Sequence, residues 1–362
     1  MKTMFTTIAL FLCIAFALQA QETEPIGEQT VDHPEENFEK LWHEFNDRYA
    51  FFDLKQVSWQ DIYQEYRPRI NDKTTNSELF DLCCEMISTL ADGHVSLVDE
   101  RGKRRCRGGK KVRFLDEFPN QSAFKELIGV IDGQLSKAGF AEPKRVKMEI
   151  PYISGHIIEY AVSAKLGYLR INLMIGLPEA EFTQSLDTAI EDLKDAEGII
   201  IDVRFNSGGL DRYAYAIANR FADQKRLGHS RRLKDKNGFS DPEFFYLQPA
   251  GKRQIVKPIM LLTSSFTISA ADVFVLAMKQ LPYVTIIGEN TQGFFSDAYQ
   301  DQLPNGWTYT LSFQQYFDAS GQNLEGIGVE PHIRVVNTRD DLREGRDPVL
   351  EKAIELLESQ MK

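Results

Sequence analysis

Apolar residues fall at helical spacing early in the chain. Phe38, Leu41, Trp42, Phe45 and Tyr49 share one face of a 3.6-residue repeat. Trp59, Ile62, Tyr63 and Tyr66 continue in the same style. Thr75-Asn76-Ser77-Glu78 has the form of a capping box and opens a helix carrying Leu79, Leu82, Met86 and Leu90. The pattern stops at Asp92-Gly93, and 95–98 reads as a strand. Residues 37–98 are therefore predicted to form an N-terminal helical subdomain. Residues 99–155 show no clean period and read as a connecting region.

Regular patterning resumes at 167–171, a strand, followed by a helix over 178–193 with Phe182, Leu186, Ala189, Ile190 and Leu193 on one face. Ile199, Ile200 and Ile201 make 198–203 a buried strand. A helix with Tyr213, Ile217 and Phe221 follows, then a strand at 259–263, a helix at 270–278 and a strand at 284–287. Alternation of this kind predicts an α/β core with parallel pairing over 156–338. Asn305-Gly306 between apolar runs signals a hairpin. Asp347-Pro348 opens a last amphipathic helix within 339–362, with Val349, Leu350, Ala353, Ile354 and Leu357.

The extreme N-terminus stands apart from this core. A basic start at Lys2, an apolar run over 5–17 and Leu18-Gln19-Ala20 before polar, acidic residues read as a signal peptide over 1–20. The run is shorter than the roughly 20 residues a membrane span needs. Residues 21–36 read as a polar linker. The expectation is an exported protein, periplasmic or extracellular, with no integral membrane segment after cleavage. Its net charge of −11 becomes one unit more negative when Lys2 is removed, which argues against nucleic-acid binding. The basic cluster between Arg101 and Lys111 reads as a solvated loop. Cys83, Cys84 and Cys106 include no CxxC pair, and there is no HExxH motif, so no metal or other cofactor is expected. One of the adjacent cysteines could bridge to Cys106 in an oxidising compartment; burial as small apolar residues is the favoured expectation.

Candidate chemistry lies at the strand–loop–helix junction around Ser269. Serine is a common helix N-cap, but a serine there can also be presented as a nucleophile beside unpaired backbone N–H groups. Asp92-Gly93-His94, Asn206-Ser207-Gly208-Gly209 and Leu324-Glu325-Gly326-Ile327-Gly328-Val329-Glu330-Pro331 are the other conspicuous pieces. Together with Ser269-Ala270-Ala271-Asp272 they resemble the tail-specific, C-terminal processing proteases of the S41 family, nearer to its tricorn-like branch.

The resemblance implies a ClpP/crotonase-like α/β protease core and a serine endopeptidase acting through an acyl-enzyme on peptide or protein substrates. It implies Ser269 as nucleophile, over its neighbours Ser264 and Ser265, and Gly208 and Ala270 as oxyanion donors. The processing proteases take their base from a lysine at the position held here by Phe294. The tricorn-like branch uses a histidine, and His94 fits that slot better than His33, His43, His156, His229 or His332. Glu325 matches the glutamate that orients this histidine through a serine, but Gly93 stands where that serine would be. Residues 99–155 are too short for a complete PDZ domain. A second reading is a non-catalytic ligand- or peptide-binding protein on the same fold. Nothing in the sequence fixes the oligomeric state.

Overall fold

The computed structural model describes residues 33–109, 112–150 and 153–361. The expected signal peptide and most of the expected linker lie outside them. Four helices come first: α1 (Pro34–Arg48), α2 (Phe52–Lys55), α3 (Trp59–Tyr66) and α4 (Asn76–Ser88). Helix α1 starts inside the segment read as linker, with a proline in its first turn, where the missing N–H costs nothing. The capping box of α4 is present, Thr75 exchanging hydrogen bonds with Glu78. Strands β1 (Ser96–Val98) and β2 (Arg105–Arg107) follow, then α5 (Phe114–Glu117) and α6 (Gln121–Lys137).

The core begins at β3 (Lys144–Ile150) and β4 (Ile153–Val162), so the boundary expected at 156 falls inside a strand. Next come β5 (Leu166–Ile171), α7 (Glu179–Asp192), β6 (Gly198–Asp202), α8 (Asp211–Ala218), β7 (Arg226–Asp235), β8 (Gly238–Phe239), β9 (Glu243–Leu247) and β10 (Ile259–Thr263). The chain continues through α9 (Ala270–Met278), β11 (Val284–Gly288), β12 (Ala298–Gln302), β13 (Thr308–Ser312), β14 (Gln314–Asp318) and β15 (Ile333–Arg334). It closes with α10 (Arg339–Arg343) and α11 (Pro348–Gln360).

Seven strands form the central sheet in the order β15-β11-β10-β6-β5-β4-β3. Pairing from β5 to β15 is parallel, as the alternation predicts, while β3 and β4 add an antiparallel edge. Side-chain alternation separates two apolar layers. Ile199, Ile201, Ile259 and Leu261 pack with residues of α7, α8 and α9, whereas Ile200, Met260 and Leu262 pack with α6 and α11 on the opposite face. Helix α11 is thus part of the core.

The connecting region is more regular than expected. Ala123, Leu127, Ile131 and Leu135 of α6 form one buried stripe, with Asn120 capping the first turn.

The N-terminal helices do not form a separate body. Strand β1 pairs with β13 and β2 in a sheet ordered β12-β13-β1-β2. Phe38, Phe45, Leu79 and Met86 share a core with Trp307, Tyr309 and Leu311 from that sheet. The Asn305-Gly306 hairpin is present between β12 and β13. Cys84 and Cys106 are joined in a disulfide, and Cys83 is buried and free. Burial of all three as thiols is therefore overturned: strand β2 lies alongside α4 and brings Cys106 to Cys84. Among the described residues no helix is long and apolar enough to cross a membrane.

Candidate active site

Ser269 sits where β10 ends, its loop turns sharply, and α9 begins. Its backbone is left-handed, φ 60° and ψ −121°, which is strained for a residue with a side chain. The loop is stitched to the end of β6. Ser264 Oγ donates to the Arg204 carbonyl (2.6 Å), Thr267 Oγ1 to the Val203 carbonyl (2.9 Å), and the Ile268 N–H to the Asn206 carbonyl (3.0 Å). Ser265 Oγ accepts the Phe114 N–H at 2.9 Å. Both competing serines are therefore committed to holding the loop.

Asp272 fixes the turn. Its buried carboxylate accepts the N–H groups of Ser269 (2.7 Å), Gly293 (2.9 Å) and Phe294 (3.2 Å). Burial pushes its pKa up to about 6, although those N–H bonds pull the other way. The 293–294 segment is thus tied to the same carboxylate as the serine backbone.

Phe294 carries this link to His94, its ring centroid lying 5.9 Å from the imidazole. His94 is held at both backbone ends. Its N–H donates to Asp92 Oδ1 (2.8 Å), and its carbonyl accepts from Thr310 Oγ1 (2.6 Å). Asp92 Oδ2 accepts the Tyr49 hydroxyl at 3.0 Å. The imidazole Nδ1 is buried without a hydrogen-bond partner. Burial lowers the His94 pKa, with Asp92 and Asp297 opposing the shift. The described hydrogen bonds include none between His94 and Ser269.

Glu325 is brought to the same region, because Gly326 N–H donates to the Gly293 carbonyl (2.7 Å) and draws 324–329 onto 291–295. Glu325 Oε2 accepts the Phe295 N–H at 2.8 Å, and Oε1 faces the Lys55 ammonium at 3.8 Å. No described bond joins it to His94. Burial, reinforced by Asp92, pushes its pKa well above the ordinary carboxylate range despite Lys55.

Of the two expected oxyanion donors, Ala270 N–H opens α9, where the first amides have no intrahelical acceptor. Gly208 lies directly against it: a Cβ on Gly208 would come 2.8 Å from Ser269 Cβ and 3.0 Å from Ala270 N. Its φ of 100° also requires glycine. Its N–H, however, already donates to Asn206 Oδ1 at 2.8 Å. An asparagine two residues ahead commonly makes this local turn.

Sequence reasoning passed over Thr310, Lys55 and Tyr49. Strand pairing and the packing of α1 and α2 bring them in from more than 30 positions away, and no local pattern marks them. Asp92 and Asp272 were visible as parts of motifs, without a role.

Residues 165–335 match peptidase family S41, and residues 31–88 match the tricorn protease C1 domain. The chain thus carries a peptidase family S41 domain and a tricorn C1 domain, and fits family S41 with tricorn-like affinity. It is 26% identical over 224 residues to a carboxy-terminal-processing protease of Bartonella bacilliformis, covering 60% of this chain and 49% of that protein. It is 31% identical over 202 residues to a putative tricorn-like protease C-terminal subunit of Sulfurisphaera tokodaii, covering 54% of this chain and 21% of that protein. The chain thus spans half or less of these relatives. A putative peptidase from Parabacteroides merdae superposes with a TM-score of 0.74 at 29% identity, over 90% of this chain and 96% of the other. Mature CPAF shares the fold at a TM-score of 0.62 and 13% identity, over 90% and 96% of the two chains.

Proposed function

We propose that this chain is an exported serine endopeptidase with Ser269 as nucleophile and His94 as general base. The observation that carries the reading is the strained Ser269 backbone, tied through Asp272 to the segment whose Phe294 packs on His94. This chain of contacts supports a site shared by two residues that lie far apart in the sequence. His94 Nδ1 is sealed from solvent, so Nε2 is the nitrogen left to take the serine proton.

The serine oxygen attacks the peptide carbonyl as its proton passes to His94, and the imidazolium then protonates the leaving amine. Water, deprotonated by the same imidazole, hydrolyses the acyl-enzyme. Ala270 N–H stabilises the developing oxyanion. Gly208 N–H joins it by exchanging the neutral Asn206 oxygen for a charged, stronger acceptor. Glu325 accepts the Phe295 N–H and has no described bond to His94, so it supports the wall behind His94 and acts on the imidazole only indirectly.

The test is labelling by a fluorophosphonate probe together with peptide hydrolysis. Ser269→Ala is expected to abolish labelling and lower turnover by about four powers of ten or more. Labelling that survives in this variant and disappears in Ser265→Ala would give the role to the other serine. A non-catalytic peptide-binding protein is the second reading, favoured by the Gly208 N–H already being engaged. It predicts peptide binding by the wild type with no labelling at all.

A further inference from the structure

The turn that carries His94 is enclosed by the two halves of a covalent loop. Cys84 lies in the last turns of α4, and the chain then runs through Ala91 and Gly93 to His94 and β1. Cys106 lies on β2, opposite Leu97 of β1, at the outer edge of its sheet. Past Cys106 the chain folds back over the turn. Gly108 N–H donates to the Val95 carbonyl at 2.9 Å. A Cβ on Gly109 would lie 2.8 Å from the Gly93 Cα, and one on Gly108 would lie 3.0 Å from the Ile87 carbonyl oxygen. Backbone therefore rests directly on backbone beside the imidazole.

The described non-covalent ties from this segment to α4 run through Arg104, beside the three-residue β2: it donates to the Ser77 carbonyl, to Ser77 Oγ and to Asp81 and lies over the Phe80 ring, and these hydrogen bonds are exposed and individually weak. The Cys84–Cys106 bond is the one covalent link between α4 and β2. We infer that this disulfide positions His94, so that the oxidised chain is the competent enzyme and reduction by a dithiol lowers its turnover. The inference rests on the reading of His94 as the base.

The chemistry needs only an external dithiol. Its thiolate attacks one sulfur, the Cys84–Cys106 bond breaks, and a mixed disulfide forms. The second thiol of the reductant closes its own disulfide and releases Cys84 and Cys106 as two thiols, a two-electron exchange. Cys84 and Cys106 are half-buried, and exposed Arg105 and Arg107 flank Cys106. Cationic neighbours favour the departing thiolate. Cys83 offers no competing thiolate, because burial pushes its pKa up to about 12.

The experiment compares oxidised and dithiothreitol-reduced protein on one peptide substrate, at a temperature where both give the folded circular-dichroism spectrum. Reduction is expected to lower kcat by about 10- to 100-fold with KM nearly unchanged, as for a misplaced catalytic group. The acid limb of the pH profile should also move up toward the ordinary histidine value as the imidazole hydrates. Asp92 and Asp297, the carboxylates that face it, act in the same direction. Cys84→Ser with Cys106→Ser should reproduce both effects without reductant, and Cys83→Ser should leave both states as in the wild type. Gly109→Ala, which presses on Gly93 with the disulfide intact, should lower kcat in the oxidised state. Equal kcat and equal acid limbs in the two redox states would overturn the proposal. If the oxidised wild type is neither labelled nor active, the Ser269–His94 reading itself has failed. Hydrogen exchange at 92–95 then decides the clamp, with no increase on reduction counting against it.

Discussion

A Cβ placed on Gly93 would lie 1.9 Å from Cε2 of the Phe294 ring. The two departures from the family pattern thus occupy one space. Phe294 stands at the lysine position, and its ring fills the volume that a side chain at position 93 would need. The relay serine is excluded sterically, and the glutamate that it would have served is turned toward Phe295 and Lys55.

Restoring the serine alone should therefore harm the protein. Gly93→Ser is expected to destabilise it by about 1–3 kcal/mol, the usual cost of overpacking, and to displace His94. Adding Phe294→Ala to Gly93→Ser should recover part of the stability, because it removes the clashing ring. Denaturant melts of the single and double variants measure this directly. Additive losses in the double variant would show that the two positions do not share the space.

The pH dependence of turnover should report the buried imidazole. An unperturbed histidine titrates near 6.5. Burial lowers the His94 value, so the basic form persists further into acid than the sequence alone suggests. Turnover should stay high as pH falls through 6.5 and decline only below it. Asp272, with its pKa pushed up to about 6, protonates in the same region and weakens its hold on the Ser269 and Phe294 amides. His94→Ala should cost nearly as much as Ser269→Ala. A rate that is already halved above pH 6.5 would mean that the group in control is not a buried histidine.

Much of this architecture was legible before any coordinates. The β-branched run Ile199–Ile201 and the glycine-bounded turn after it located the central strand and the Gly208 loop, because short-range chemistry dictates both. The stripe of α6 was legible in principle, but Gly129 and Gly133 interrupt the apolar pattern and basic residues precede it. Electrostatic roles were not readable at all. Glu325 looks like any carboxylate in the sequence. The upward push on its pKa comes from enclosure by segments hundreds of positions apart, which no local pattern encodes.

Glu325 yields a prediction of opposite character to the usual loss of a catalytic acid. Because burial favours its protonated form and its described hydrogen bond goes to the Phe295 N–H rather than to His94, Glu325→Gln keeps an acceptor for that N–H and removes little that the imidazole uses. Turnover should fall by less than about tenfold, or 1.4 kcal/mol. Glu325→Leu leaves that buried N–H unpaired and should cost about 1–3 kcal/mol of stability. A steady-state assay paired with a thermal melt separates the two effects. A drop of several powers of ten in Glu325→Gln would show instead that a carboxylate charge acts on His94.

The last prediction concerns the far end of β6, which anchors the Gly208 loop to the C-terminal helix. Arg204 is fully enclosed. It donates to both oxygens of Asp202 (3.0 and 2.7 Å) and both oxygens of Asp347 (2.8 and 2.8 Å). Asp347 also caps α11 by accepting the Leu350 N–H at 3.0 Å. Burial alone would raise the Asp202 pKa, but the guanidinium holds it below the ordinary value of 3.8. A carboxylate with a lowered folded-state pKa stabilises the fold above its unfolded pKa, and that contribution is lost as pH falls through the folded value. Arg204→Met removes the cation and leaves two buried carboxylates, so it should cost about 3–5 kcal/mol at neutral pH. The penalty should shrink in acid, where protonation relieves the unpaired charges. Urea unfolding of wild type and variant between pH 7 and pH 4 tests both statements. A pH-independent difference would mean that Arg204 contributes packing alone.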